Sequence, residues 1–274
     1  MGSNSIELTD GKNGDEGALG ILRSVNDADE LTLVYKYTSQ GLGHGHFDKL
    51  GYLLYDKDGE AIQDYGAARW VNIDQKAGGR YLKENKTWAK QTVAHNALVV
   101  NEESHFGGDF KVGNEHHSEG YIFDTKNKDF LFVSAKEFNA YSDVELHRSM
   151  ALFQDETYEK PIVIDVFRVS SKTENQYDLP IWFQGHLLNS NIDYKAVTNT
   201  LSTLGKAHGY QHLWKEAEGT RTDGNAQISW FNKNKFYTMT SAVDSTDALI
   251  FARAGANDPN FNLRHDPCFI IRKK

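Results

Sequence analysis

Apolar and polar residues alternate with a period of two along most of the chain. Leu31-Thr32-Leu33-Val34-Tyr35-Lys36-Tyr37 shows the pattern clearly and is rich in strand formers. It recurs at 51–55, 97–100, 130–133, 150–153 and 161–167. It returns at 179–183, 227–231, 236–240, 249–252 and 268–271. Successive side chains of a strand point to opposite faces, so this alternation predicts strands with one buried face.

Polar turns sit between these segments. Asp56-Lys57-Asp58-Gly59, Asp124-Thr125-Lys126-Asn127-Lys128-Asp129 and Asn232-Lys233-Asn234-Lys235 each join two apolar stretches as hairpin turns do. No stretch of 12 or more residues carries a helical period. Short strands between polar turns predict an all-β fold, a large antiparallel sandwich or barrel. Residues 1–24 are rich in Gly, Asp and Asn and read as a loop or linker, leaving 25–274 as the folded domain. The last strand signal, 268–271, stops three residues short of the end, which reads as a domain truncated on its C-terminal side.

Composition narrows the function. Of 274 residues, 39% are hydrophobic and 12% aromatic, which fits a packed protein. A net charge of -8 argues against a nucleic-acid partner, whose phosphates call for basic surface. A local basic pocket for an acidic substrate remains compatible with that charge. The single cysteine, Cys268, excludes an internal disulfide framework and reads as a buried filler. No apolar run reaches the ~18 residues of a membrane span, and no signal peptide is read at the start.

The chemistry concentrates in Gly43-His44-Gly45-His46-Phe47-Asp48-Lys49-Leu50. On a strand, His44 and His46 would share a face. His-x-His also supplies metal ligands, because imidazole suits zinc and related ions. The alternative is a glycine-rich turn with two solvated histidines. A cupin metal motif would need Glu shortly after the second histidine, where Leu50 and Gly51 stand. Asp48, Asp64 and His95 are further candidate donors, and two His, one Asp and a water would complete a four-coordinate zinc site. His116-His117 reads as a solvated loop. Tyr210, His212 and Trp214 read either as a sugar-cleft lining or as one face of an ordinary strand, and Trp182, Phe183 and Gln184 leave the same choice open.

Four segments together carry a family resemblance. They are Gly43-His44-Gly45-His46-Phe47-Asp48-Lys49-Leu50, Gln63-Asp64-Tyr65-Gly66-Ala67-Ala68-Arg69, Gly78-Gly79-Arg80-Tyr81-Leu82 and Thr92-Val93-Ala94-His95-Asn96. In combination they resemble the heparinase II/III-like polysaccharide lyases, nearest to the alginate lyases of polysaccharide lyase family 17. The likeness extends from 10–16 to 266–271.

The resemblance implies a C-terminal β-sandwich that holds a structural zinc through His46, Asp64 and His95. It implies that Tyr81 reaches into the active site and that His44 and Arg69 contact the acidic sugar. The reaction implied is β-elimination at a uronate: a base takes the C5 proton and the C4 oxygen leaves. That proton is weakly acidic until the carboxylate charge is neutralised, so donors must be aimed at that group. A tyrosine can move the proton where its surroundings tune a pKa that is ordinarily near 10.

In the family, other residues that neutralise the carboxylate, and a second tyrosine, come from an N-terminal (α/α) toroid. No such helical domain is read in this chain. The expected partners are therefore that toroid and an alginate or mannuronate-containing glycan, with a homodimer compatible. Family members are periplasmic or exported in bacteria. Two other functions compete: a non-catalytic zinc-binding sandwich for acidic glycan, and a lyase for heparin-like uronate glycans.

Overall fold

The structure is a computed structural model that describes residues 4–24, 30–67, 82–158 and 160–274. Strands β1 (Ile6–Thr9), β2 (Ala18–Arg23), β3 (Leu31–Lys36), β4 (Gly51–Asp56) and β5 (Gly59–Ile62) come first. The short β6 (Val99–Val100) and helix α1 (Phe110–Asn114) precede β7 (Glu119–Asp124), β8 (Phe130–Tyr141), β9 (Val144–Phe153) and β10 (Ile162–Ser171). Then follow β11 (Tyr177–Trp182), β12 (His186–Ser190), β13 (Asp193–Ala196) and β14 (Leu213–Thr220). The chain closes with β15 (Asn225–Asn232), β16 (Lys235–Ala242), β17 (Ala248–Ala254) and β18 (Pro267–Lys273).

The all-β expectation holds. The chain divides into two compact units, Met1–Ala61 with His105–Glu174 and Ile62–Ser104 with Asn175–Lys274. The first carries a five-stranded sheet, β1-β2-β3-β4-β5, and a four-stranded sheet, β10-β9-β8-β7. The second carries a six-stranded sheet, β13-β14-β17-β18-β11-β6, and a three-stranded sheet, β12-β15-β16.

Arg148 on β9 pins the two sheets of the first unit together. It is fully buried, and its guanidinium donates to Asp165 Oδ1 and Oδ2 at 2.9 and 2.6 Å. A third bond, 2.9 Å, reaches the Leu50 carbonyl beside β4. Its charge lies 4.6 Å from the Tyr52 ring centre and 5.0 Å from that of Phe167. From β3 the Tyr35 hydroxyl donates to the Arg148 carbonyl at 3.1 Å, and burial pushes that phenol well above its ordinary pKa. The buried charge is tolerable because its donors meet acceptors in bidentate geometry.

The second unit is built on aromatic packing. Trp88, fully buried, meets Tyr65 and Trp182 edge-on, each with ring centres 5.5 Å apart. Val93, Leu213, Ile250, Cys268 and Ile270 fill the space around them. Cys268 is buried there, and burial holds its thiol well above the usual range, so it is inert filler as expected.

Three differences from the sequence reading stand out. Residues 6–9 and 18–23 of the expected leading loop are strands β1 and β2, paired in register from Ile6–Ile21 to Thr9–Ala18. β12 and β13 escaped detection because every residue but the last of β12 is exposed, so neither shows alternation. Residues 210–212 form a 3₁₀ turn, so Tyr210 and His212 are not strand neighbours of Trp214.

Candidate functional site

In the first unit the glycine-rich segment is not a strand. Leu42–His44 is a 3₁₀ turn, so the expected shared face of His44 and His46 does not form by strand alternation. His44 is exposed and His46 half-buried. Gly45 between them is forced by a close approach: a Cβ there would lie 1.5 Å from the Gln40 carbonyl oxygen. Only glycine lets the backbone pass at that point.

The next residues turn inward. Asp48 is buried and accepts from Lys36 Nζ at 2.6 Å. Lys49, with no exposed surface, donates to the Thr38 and His116 carbonyls at 2.8 and 3.2 Å. Its amide donates to His105 Nδ1 at 3.2 Å. Burial lowers the Lys49 ammonium to a pKa of about 8, against support from Glu137 and Asp48. Nothing in the local sequence marked this lysine, which sits in a polar run.

In the second unit Asp64 and His95, 31 positions apart, meet. His95 Nδ1 lies 2.8 Å from Asp64 Oδ2, and the ring is buried. Each partner is held from its own side. Asp64 Oδ1 accepts from the Gly66 amide at 2.7 Å, where Gly66 takes a φ of +71°. His95 follows the 3₁₀ turn Thr92–Ala94, and its amide donates to the Thr92 carbonyl at 3.0 Å.

Asn96 locks that geometry. Its amide nitrogen donates to the Gln63 carbonyl at 2.7 Å, and its oxygen accepts from the Trp182 amide at 2.8 Å. The Trp182 indole donates to the Val93 carbonyl at 3.0 Å. Trp182, which the sequence left as either cleft or core, is core. Gln184 donates to the Gln63 side chain beside it.

Tyr65 adjoins Asp64 but is not a reactive phenol. It is buried, accepts from the Arg264 amide at 2.8 Å and lies under the Arg264 guanidinium at 4.4 Å. Burial above all pushes its pKa up to about 12. Arg69 and Tyr81 lie outside the described residues.

A second polar chain, which sequence inspection missed, runs from Thr87 through His212 to Asp258. Thr87 Oγ1 is 2.9 Å from His212 Nε2, and His212 Nδ1 is 2.6 Å from Asp258 Oδ2. The Trp214 indole donates to Asp258 Oδ1 at 3.0 Å. Tyr210 is fully buried and donates to Asp178 at 2.6 Å, so the cleft reading fails for it. The chain acts as a tether between 82–90 and the turn at 255–260.

The heparinase II/III-like C-terminal family matches residues 7–273, nearly the whole length. The chain belongs to that family. As a heparinase II/III-like C-terminal chain it is 46% identical over 271 residues to an exo-oligoalginate lyase of Saccharophagus degradans. It is 41% identical over 265 residues to an alginate lyase of Stenotrophomonas maltophilia. These matches cover 98% and 97% of the chain but only 37% and 35% of the relatives. Among solved structures, the heparan sulfate lyase HepC of Pedobacter heparinus superposes with a TM-score of 0.56 at 14% identity. That match covers 98% of this chain and 34% of HepC, and it shows a shared heparinase II/III-like fold.

Proposed function

We propose that this chain is the sandwich part of an alginate lyase that cleaves uronate glycosidic bonds by β-elimination. The observation that carries this reading is identity of 46% and 41%, over nearly the whole chain, to two alginate lyases. The distant heparan lyase fold at 14% identity gives a heparin-like substrate much weaker support. The chain spans about a third of those relatives, and in this reading it works together with the helical toroid that the family resemblance implies.

In this reading His44 and Arg69 bind and orient the substrate carboxylate. Their donors offset its charge and make the C5 proton removable. Tyr81 moves that proton or donates one to the departing C4 oxygen, and the C4–O bond breaks to leave an unsaturated uronate. Tyr65, being buried and capped by Arg264, takes no part.

His46, Asp64 and His95 would hold a zinc ion. Two imidazoles and a carboxylate are a donor set that suits zinc, and the reading is supported by the 2.8 Å contact of Asp64 Oδ2 with the buried His95 Nδ1. Bound there, the ion would brace the loops that carry the site. Export to the periplasm or beyond fits an enzyme whose polymeric substrate lies outside the cell.

The test is a chimera in which this chain replaces the matching part of the Saccharophagus exo-oligoalginate lyase. Mannuronate oligosaccharides should yield the ultraviolet absorbance of unsaturated uronate. Tyr81→Phe should cut the rate by roughly 10²–10⁴-fold, the usual range for a lost proton-transfer group. A folded, metal-loaded chimera that is inactive, or one indifferent to Tyr81→Phe, would overturn the reading.

A further inference from the structure

In the second unit, segment 82–91 has two unlike faces. Leu82, Glu84, Trp88 and Ala89 are buried, whereas Lys83 and Lys86 are exposed and Lys90 is half-buried. Residues Asn85–Ala89 wind as a π-helix, and the Lys90 amide donates to the Asn85 carbonyl, five residues back, at 3.2 Å. Such turns are rare and recur at functional sites. Burial lowers the Lys90 ammonium below its ordinary pKa, and the charge of Lys86 lowers it further. Two cations therefore stand close on one face, and like charges four residues apart weaken a helix, so stability does not explain them. They also contrast with the net charge of -8 on the whole chain.

Among the described residues, no carboxylate ion-pairs with Lys83 or Lys86. The one acid of the segment, Glu84, is turned inward, where its Oε1 accepts from the Asn260 side chain at 3.2 Å. The turn 205–212 packs on the same helix. There Gln211 donates to the Thr87 carbonyl at 3.2 Å, His212 meets the Thr87 hydroxyl, and a Cβ on Gly209 would lie 3.1 Å from Gln91 Cβ. That turn carries an exposed Lys206 and no acid. Glu102, beside Gly205, is paired with Arg272 at 2.9 Å. Asp258 is buried and bonded to the His212 ring and the Trp214 indole. The Thr87–His212–Asp258 tether thus fixes the backbone from which the lysines project.

We propose that Lys83, Lys86 and Lys90 form a further carboxylate-binding subsite for a polyuronate chain. Lys83 follows Tyr81 by two residues in sequence, a covalent span of at most roughly 7 Å. A glycan engaged by Tyr81 is therefore within reach of this strip. From Lys83 to Lys90 is seven residues, roughly 10 Å of helix. A polyuronate repeats its carboxylate on every sugar, so one chain meets several of these lysines in turn, which a single sugar cannot. An ammonium on a flexible stem acts as a point charge and attracts a carboxylate without demanding one geometry. The strip would hold the polymer and take no part in proton transfer. The net charge of the chain argues against a nucleic acid as the occupant. The proposal rests on the acidic-polysaccharide reading above but involves none of the residues assigned to that site.

The test is calorimetric binding of this chain to polymannuronate, with a neutral glucan and a single-stranded DNA of equal length as controls. Lys83→Gln/Lys86→Gln should weaken binding about fivefold, the scale of two exposed ion contacts, without moving the melting temperature. Lys83→Arg/Lys86→Arg should bind as the natural chain does. Added salt should narrow the gap between the natural chain and the Gln variant. Binding unchanged in the Gln variant, no binding of polymannuronate by the natural chain, or equal binding of either control would overturn the proposal. In the lyase chimera, Lys83→Gln/Lys86→Gln should raise KM for long oligomannuronates more than for short ones, whereas Tyr81→Phe lowers kcat. An inactive chimera, with lysine-dependent binding intact in this chain, would sink the proposed function and leave the subsite standing. An active chimera indifferent to the two lysines would do the reverse.

Discussion

Single side chains in this protein have sharply different duties, and those duties predict different failures. His95 is buried against Asp64, whereas the proposed function gives Tyr81 the proton transfer. His95→Ala should therefore lower the melting temperature well below that of Tyr81→Phe, because a lost metal ligand weakens folding directly. Equal melting of the two variants would remove the structural role of the metal. Gly45→Ala should destabilise by about 1–3 kcal/mol, since its Cβ would overlap the Gln40 carbonyl oxygen. A chemical denaturation midpoint unchanged by that substitution would show the backbone free to move aside.

Lys49 gives a pH dependence with a definite sign. Its pKa falls from 10.5 to about 8 on burial. Between those values the unfolded chain binds more protons than the folded one, so stability rises with pH through that window. The burial cost is fully present below it. Unfolding free energies from urea melts at about pH 7 and about pH 10 should differ more for the natural chain than for Lys49→Met, by about 1–3 kcal/mol. Identical pH profiles would mean the ammonium is solvated in the folded state.

Strands are held in pairs by contacts that couple them across layers. The Arg148–Asp165 pair joins β9 to β10, and the Arg148 bond to Leu50 joins the four-stranded sheet to the five-stranded one. Asp165→Asn leaves the buried guanidinium without its counter-charge and should cost about 3–5 kcal/mol. The double variant Arg148→Met/Asp165→Leu should recover part of that loss, because it removes both charges together. If the double variant is worse than Asp165→Asn by urea denaturation, the guanidinium's bond to the Leu50 carbonyl dominates the pair.

For the molecule as a whole, the testable quantity is the metal. Elemental analysis after mild purification should find zinc, and chelation should lower the melting temperature. Metal-free protein with a melting curve indifferent to chelator would defeat the assignment of His46, Asp64 and His95. The chain is matched almost throughout but spans 37% and 35% of the two lyases, and under the proposed function turnover is expected to need the toroid.

Much of the architecture was written in local pattern. β3, β4, β8, β9 and β15 contain segments where alternation is visible because buried residues recur on one face, while β17 and β18 are apolar because they are buried nearly throughout. The hairpin turns at 56–59, 124–129 and 232–235 follow from Asp, Asn and Gly, which need no partner elsewhere. β12 and β13 were not legible, since exposed edge strands have no buried face to impose a period. Of the candidate site, Asp64 and His95 could be named as donors from the sequence, but their contact across 31 positions came only with the fold.

Only the tertiary structure decided which side chains meet. His44 ends a 3₁₀ turn that strand geometry did not foresee, and His46 follows it past the close approach of Gly45 to Gln40. Lys49, Arg148 and the Thr87–His212–Asp258 tether acquire their character from partners far along the chain. Periodicity is a property of neighbours in sequence. Burial, pairing and pKa are properties of neighbours in space, and long-range pairing supplies those only once the sheets have formed.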